Sequence, residues 1–160
     1  MRYFLLDRIT ELVLGERARG IKCVTLTDPT LHDHFPDHPI LPGVLAVEAA
    51  AQLAGFLIEI SEERAEPLSD PRRALLAKID RTKFYRPAEP GDRIELLATL
   101  DRSLEGAARV DVEASIDGER SMRGQLTFMM RSIASDRVHE QRRALYRLWT
   151  KGLDLPVPIP

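Results

Sequence analysis

GVLAVEAAAQLAGFLIEI, residues 43–60, leaves Glu48 and Gln52 as the only polar side chains between Val44 and Ile58. The run reads as a helix. Pro42 suits its first position, because the N–H that proline lacks is one a helix start leaves unbonded anyway. Eighteen residues span about 27 Å at the helical rise. A helix that is apolar on nearly every face must be buried on nearly every face, so the rest of the chain has to close round it. The expectation is an α+β domain in which a sheet curls about one central helix.

Downstream the periodicity changes from helical to alternating. Four strand-like segments lie near 75–85, 92–102, 107–117 and 119–130. In the third, Ala108, Val110, Val112, Ala114 and Ile116 oppose Arg109, Asp111, Glu113, Ser115 and Asp117, the period-two pattern of a half-buried strand. Asp117-Gly118 is a strong hairpin signal, and Pro90-Gly91-Asp92 and Glu105-Gly106 supply further turns. The second half therefore reads as an antiparallel meander. Residues 61–73, charged and proline-containing, read as a surface connection.

Upstream, residues 4–14 read as a short helix or turn and 18–27 as a strand. LHDHFPDHPILPG, from Leu31 to Gly43, carries three prolines and three histidines and must be a stiff, irregular loop. From Arg131 to Lys151 there are six basic and two acidic residues, a local charge of +4. This stretch reads as a basic amphipathic helix over 136–151, with Leu145, Leu148 and Trp149 as packing contacts and His139 at the surface. LPVPIP at the end reads as extended.

The 160 residues are near the usual size of one domain. A net charge of −2 gives no global attraction to nucleic acid or an anionic membrane. Arg2, Asp7, Arg8 and Glu11 interrupt the first apolar residues, a pattern of neither a signal peptide nor a membrane span. Cys23 is the only cysteine, which excludes an internal disulfide and a multi-thiolate metal site and fits a cytoplasmic setting.

Chemistry concentrates around the start of the central helix. A carboxylate such as Glu48 in an apolar helix is costly unless paired or protonated, and Gln52, one turn on, can satisfy or orient it. His34, in the stiff loop just before the helix, is suited to proton transfer. Gly43 can present a backbone N–H to a developing oxyanion where the helix dipole also favours negative charge. A base, an acid and an oxyanion donor together permit removal of an α-proton from a thioester and departure of a β-hydroxyl, with no redox cofactor or metal required.

H34-F35-P36-D37-H38-P39-I40-L41-P42-G43-V44-L45 followed by E48-A49-A50-A51-Q52 resembles the β-hydroxyacyl-acyl carrier protein dehydratase family of type II fatty acid synthesis. The likeness runs from FLLDRI near residue 4 to LTFMM ending at Met130, and includes KFYRP (83–87) and PGD (90–92). It implies a hotdog domain over 1–130, with residues 131–160 as an added basic C-terminal extension. It also implies that His34 and Glu48 are the catalytic pair, with Gly43 as the oxyanion donor, Gln52 supporting the acid and the Ile40 carbonyl orienting the histidine. The implied substrate is a (3R)-3-hydroxyacyl group on the phosphopantetheine arm of acyl carrier protein, dehydrated to the trans-2-enoyl thioester. Family members dimerise, often assemble three dimers into a hexamer, and draw His and Glu from opposite subunits.

The sequence departs from the family pattern at Asp33 and Asp37, which stand where glycine is usual and put negative charge beside His34, and in the extension beyond about residue 131. Two other functions suit the same scaffold: an acyl thioesterase, and a non-catalytic subunit that binds an acyl carrier. His32, His34 and His38 with Asp33 and Asp37 offer a metal-site alternative that three prolines and Phe35 make hard to assemble. Arg81, Lys83 and Arg86 are candidates for attracting an acidic carrier protein.

Overall fold

The structure is a computed structural model. It describes all residues except 1, 2, 66–71, 157 and 160, and leaves out the side chains of 63–65. The central helix α1 runs over Gly43–Ala65. Six strands form one antiparallel sheet: β1 (Arg8–Val13), β2 (Arg17–Cys23), β3 (Arg72–Phe84), β4 (Arg93–Leu104), β5 (Ala107–Ile116) and β6 (Glu119–Ser132). Their order is β1-β2-β4-β5-β6-β3. A second helix, α2, covers Asp136–Trp149.

The sheet wraps α1, which packs against β2, β3, β4, β5 and β6. Ala49, Ala50, Leu53, Ala54, Phe56, Leu57 and Ile60 are completely buried. This enclosure explains how Gly43–Glu62, apolar enough by composition to cross a membrane, is spent instead on a protein core.

In β5 the alternation works as the sequence indicates: Ala108, Val110, Val112, Ala114 and Ile116 all point into the core. Asp117 and Gly118 both take positive φ, 51° and 81°, as a tight hairpin turn between β5 and β6 requires. In β2 the inward set is Ala18, Gly20 and Lys22, continued by Val24 just past the strand's end. A Cβ at Gly20 would lie 2.9 Å from both the Arg8 carbonyl and a Leu6 methyl, so only glycine lets β1 and its leading segment approach so closely.

Several expectations are corrected. The stretch read as a helix or turn over 4–14 contains strand β1. Leu5, Ile9 and Leu12 have helical spacing, but pairing with β2 from Arg8↔Ile21 to Val13↔Arg17 decides the conformation. The connection expected over 61–73 shrinks, because α1 continues to Ala65 and β3 begins at Arg72. The residues between, 66–71, lie outside the described ones.

α2 starts where Ser135 accepts from the Val138 N–H at 3.4 Å and ends two residues before the expected Lys151. Leu145 and Trp149 are anchors, as expected, but Leu148 is 64% exposed. His139 is not on the surface: only 7% of it is exposed. Its Nδ1 lies 2.9 Å from Arg73 Nη2 and its Nε2 2.7 Å from the Ile133 carbonyl. Arg73 in turn donates to Glu59 Oε2 at 2.9 Å, and Tyr146 donates to the same oxygen at 2.7 Å. The Ala74 N–H binds Glu59 Oε1 at 3.0 Å. The extension is thus tied to the far end of α1 by a sealed polar network. Leu155 and Ile159, in the terminal proline-rich stretch, also pack on the core.

Candidate active site

The loop leading into α1 is pinned on both sides of His34. Upstream, Asp28 accepts from the Thr30 N–H at 3.0 Å and the Thr30 hydroxyl at 2.8 Å. These bonds cap the single 3-10 turn Pro29–Leu31. Burial pushes the Asp28 carboxyl up, but the Thr30 bonds and the nearby Lys22 ammonium outweigh it and hold the group below its ordinary value. Leu31 plugs the core at 2% exposure, and its carbonyl accepts from the His34 N–H at 3.4 Å. Downstream, the Ile40 N–H donates to the His34 carbonyl and the Leu41 N–H to the Ala88 carbonyl, both at 2.8 Å.

The ring of His34 is fixed by the same downstream anchor, with Nδ1 3.1 Å from the Ile40 carbonyl oxygen. A carbonyl only accepts, so Nδ1 carries the proton and Nε2 of the neutral ring keeps its lone pair. Nε2 has no hydrogen-bond partner among the described residues. His34 lines a cavity of about 420 Å³ together with Gly43, Phe84, Ser121 and otherwise mainly apolar side chains.

Gly43 opens α1, and its N–H bonds to no acceptor among the described residues. A Cβ at this position would come within 2.8 Å of the Phe84 ring, so any other residue would displace the aromatic side chain that walls the cavity. His34 and Gly43 therefore share one space: an imidazole lone pair and a free amide at a helix N-terminus.

Glu48 sits just over one turn further along α1 and is half-buried. Its Oε1 accepts from Gln52 Nε2 at 3.0 Å. Gln52 is itself fixed: its oxygen accepts from the Leu5 and Leu6 N–H groups at 3.0 and 3.3 Å, and Nε2 also donates to the Tyr3 carbonyl at 3.0 Å. Within the single chain Glu48 does not line the cavity that holds His34.

The three candidate cations separate. Arg86 lines the His34 cavity, but its guanidinium lies 3.5–4.0 Å from Asp92, Asp117 and Glu119 and donates to the Ile116 carbonyl at 3.3 Å. Arg81 and Lys83 are exposed and line a different depression with Arg123, Asp111 and Glu113. His32, His34 and His38 form no metal-binding cluster with Asp33 and Asp37 among the described residues. Sequence reasoning missed Phe84, Tyr85, Ser121 and Met122 as cavity walls. The Phe84↔Met122 pairing across β3 and β6 that places them joins segments with no local mark of shared purpose.

The FabA-like domain family model matches residues 1–125. The chain belongs to this dehydratase family. The Polynucleobacter asymbioticus protein named 3-hydroxyacyl-acyl-carrier-protein dehydratase FabZ is 38% identical over 130 residues, covering 81% of this chain and 84% of the relative. The Bacillus velezensis protein of the same name is 38% identical over 128 residues, covering 80% and 87%. Among solved structures, the dehydratase heterocomplex ApeI:P from Xenorhabdus doucetiae superposes with a TM-score of 0.66 at 18% identity, covering 81% of this chain and 84% of that one. Streptococcus mutans smu.793, bound to acetyl CoA, gives 0.62 at 13% identity, covering 84% and 95%. At such identities these two likenesses speak for the hotdog fold. The FabA-like match ends before α2, so the helix that closes the Glu59–Arg73 network lies outside the matched region.

Proposed function

We propose that the protein dehydrates (3R)-3-hydroxyacyl thioesters carried on acyl carrier protein to trans-2-enoyl thioesters. The observation that carries this reading is the meeting of a His34 lone pair and the free Gly43 amide in one largely apolar cavity, in a chain of the FabA-like family. The Gly43 N–H polarises the thioester carbonyl as the Cα–H bond breaks. His34 Nε2 takes that proton, the electron pair forms the Cα–Cβ double bond, and Glu48 protonates the departing β-hydroxyl, which leaves as water. Gln52 holds the acid in place, and the Ile40 carbonyl keeps the histidine in the tautomer that can act as base.

Glu48 acts in the cavity of a second copy of the chain. Two observations support a homodimer: Glu48 does not line the His34 cavity of its own chain, and β3 is a sheet edge with Leu75, Leu76, Ile79 and Phe84 exposed along it. Three such dimers make the hexamer expected of the family. Arg81 and Lys83 are the cations available to an acidic carrier, while Arg86, already shared among three carboxylates, holds the cavity wall. Residues 1–130 form the hotdog unit and 131–160 its addition. The exposed Cys23 thiol accords with a reducing, cytoplasmic setting.

Mass spectrometry of acyl carrier protein loaded with 3-hydroxyacyl chains tests the reaction directly. Loss of one water with the thioester intact is expected. Release of the free carrier thiol would instead identify a thioesterase, and an unchanged carrier that still binds would identify a non-catalytic subunit.

A further inference from the structure

Ser121 and Tyr85 carry uncharged hydroxyls on the cavity wall, and Ser121 is the buried one of the two. The other lining residues are His34, Gly43, Arg86 and apolar side chains, and Tyr85 is half-exposed. Ser121 itself is 5% exposed, and its hydroxyl has no hydrogen-bond partner among the described residues. Its orientation has a backbone cause. The pairing of β5 with β6 slips between Ala114 and Ser115: Ala114 faces Met122 while Ser115 faces Arg120, leaving Ser121 as the extra residue. Such a bulge re-aims a side chain, and here two consecutive residues, Ser121 and Met122, are both buried and both line the cavity. The turn is pinned because the Ser121 carbonyl accepts from the Tyr85 N–H at 2.8 Å and the Arg86 N–H at 3.4 Å.

The hydroxyl is nevertheless not cut off from solvent, since the fully buried side-chain atoms without a partner among the described residues are Arg72 Nε and Arg73 Nε, so Ser121 keeps an unused donor within reach of the cavity. It belongs to a residue that lines the cavity beside the buried Leu41, Ala88, Ile94 and Met122. We infer that Ser121 is a ligand-binding residue whose hydroxyl donates to a hydrogen-bonding oxygen of the bound acyl-pantetheine. That oxygen belongs either to a substituent on the acyl chain or to an amide carbonyl of the pantetheine arm. The inference rests on the reading of the cavity as the acyl thioester site.

The test uses binding, so that it does not depend on turnover. Saturated acyl-pantetheine amides, one with a plain medium-length chain and one with the same chain ending in a hydroxyl, are titrated calorimetrically into the wild type, Ser121→Ala and Ser121→Thr. A neutral hydrogen bond corresponds to about a three- to tenfold change in affinity. If the oxygen is on the chain, Ser121→Ala weakens the hydroxylated ligand by that factor and leaves the plain ligand as tight or tighter. If it is on the pantetheine arm, both ligands weaken equally. In either case Ser121→Thr, which keeps the hydroxyl, restores binding. Unchanged affinity of Ser121→Ala for both ligands overturns the inference, as does an equal loss that Ser121→Thr does not restore. Failure of the wild type to bind either ligand would overturn the acyl-site reading together with it.

Discussion

The two ends of α1 treat polar groups in opposite ways. At the N-terminal end, His34 and Gly43 line one cavity, His34 Nε2 and the Gly43 N–H have no partner among the described residues, and Glu48 does not line the cavity of the histidine it is proposed to work with. About 24 Å further along the helix, Glu59 is 3% exposed and every one of its strong contacts is internal: Arg73, Tyr146 and the Ala74 N–H. The first end is the one proposed to receive a ligand and a second subunit. The second is sealed by α2. A polar group that must react needs unused bonding capacity, whereas one that only holds structure is kept paired; in the sealed network Arg73 Nε is the exception, buried without a partner among the described residues.

The largest effect that separates the ends is expected at the sealed one. Glu59→Ala leaves the Arg73 guanidinium, whose side chain is 0% exposed, buried without its counter-charge, and also strips partners from Tyr146 and Ala74. The cost is expected to be about 3–5 kcal/mol, as for other broken buried pairs, measured by urea unfolding, while the folded fraction retains its dehydratase turnover. A loss below about 1 kcal/mol would show that the network is not the clamp its geometry implies.

A smaller effect is expected for Tyr146→Phe, which removes one hydrogen bond to a carboxylate, about 1.5–3 kcal/mol. Burial, reinforced by the Glu59 charge, pushes the Tyr146 phenol well above its ordinary value of 10.0. The folded state therefore holds this proton more tightly than the unfolded state does. The stability linked to it is fully present below the ordinary phenol range and is lost as the pH rises through the raised value. Tyrosinate absorbance should show one tyrosine ionising only as the protein unfolds in alkali, and Tyr146→Phe should abolish that step. A variant whose alkaline unfolding matches the wild type would contradict this.

The ends also differed in how far they could be read from sequence. The open end is local: His34, Ile40, Gly43, Glu48 and Gln52 lie within nineteen residues, and the stiff loop and apolar helix advertise it. The meander was legible for the same reason, since the alternation of β5 and the Asp117-Gly118 turn are short-range signals. The sealed end joins Glu59, Arg73, His139 and Tyr146 across 87 residues, and nothing in the charged tail marks His139 as buried until β3 and α2 are brought together. β1 was misread because its spacing is helical and only its partner strand settles the matter. The Ser121 bulge was invisible because alternation predicts one inward residue there, not two.

The central claim is that the open end is half of a composite site, with His34 as base and Glu48 of the other subunit as acid. His34→Ala and Glu48→Gln homodimers should each fold and each lose about 100-fold or more in dehydration of a 3-hydroxyacyl-acyl carrier protein. When the two variants are mixed and exchange subunits, each mixed dimer regains one site with both groups intact. Random pairing then restores about a quarter of the wild-type activity if the two sites act independently. Recovery near that level is the predicted result. No recovery, with mass spectrometry confirming that mixed dimers have formed, would contradict the account.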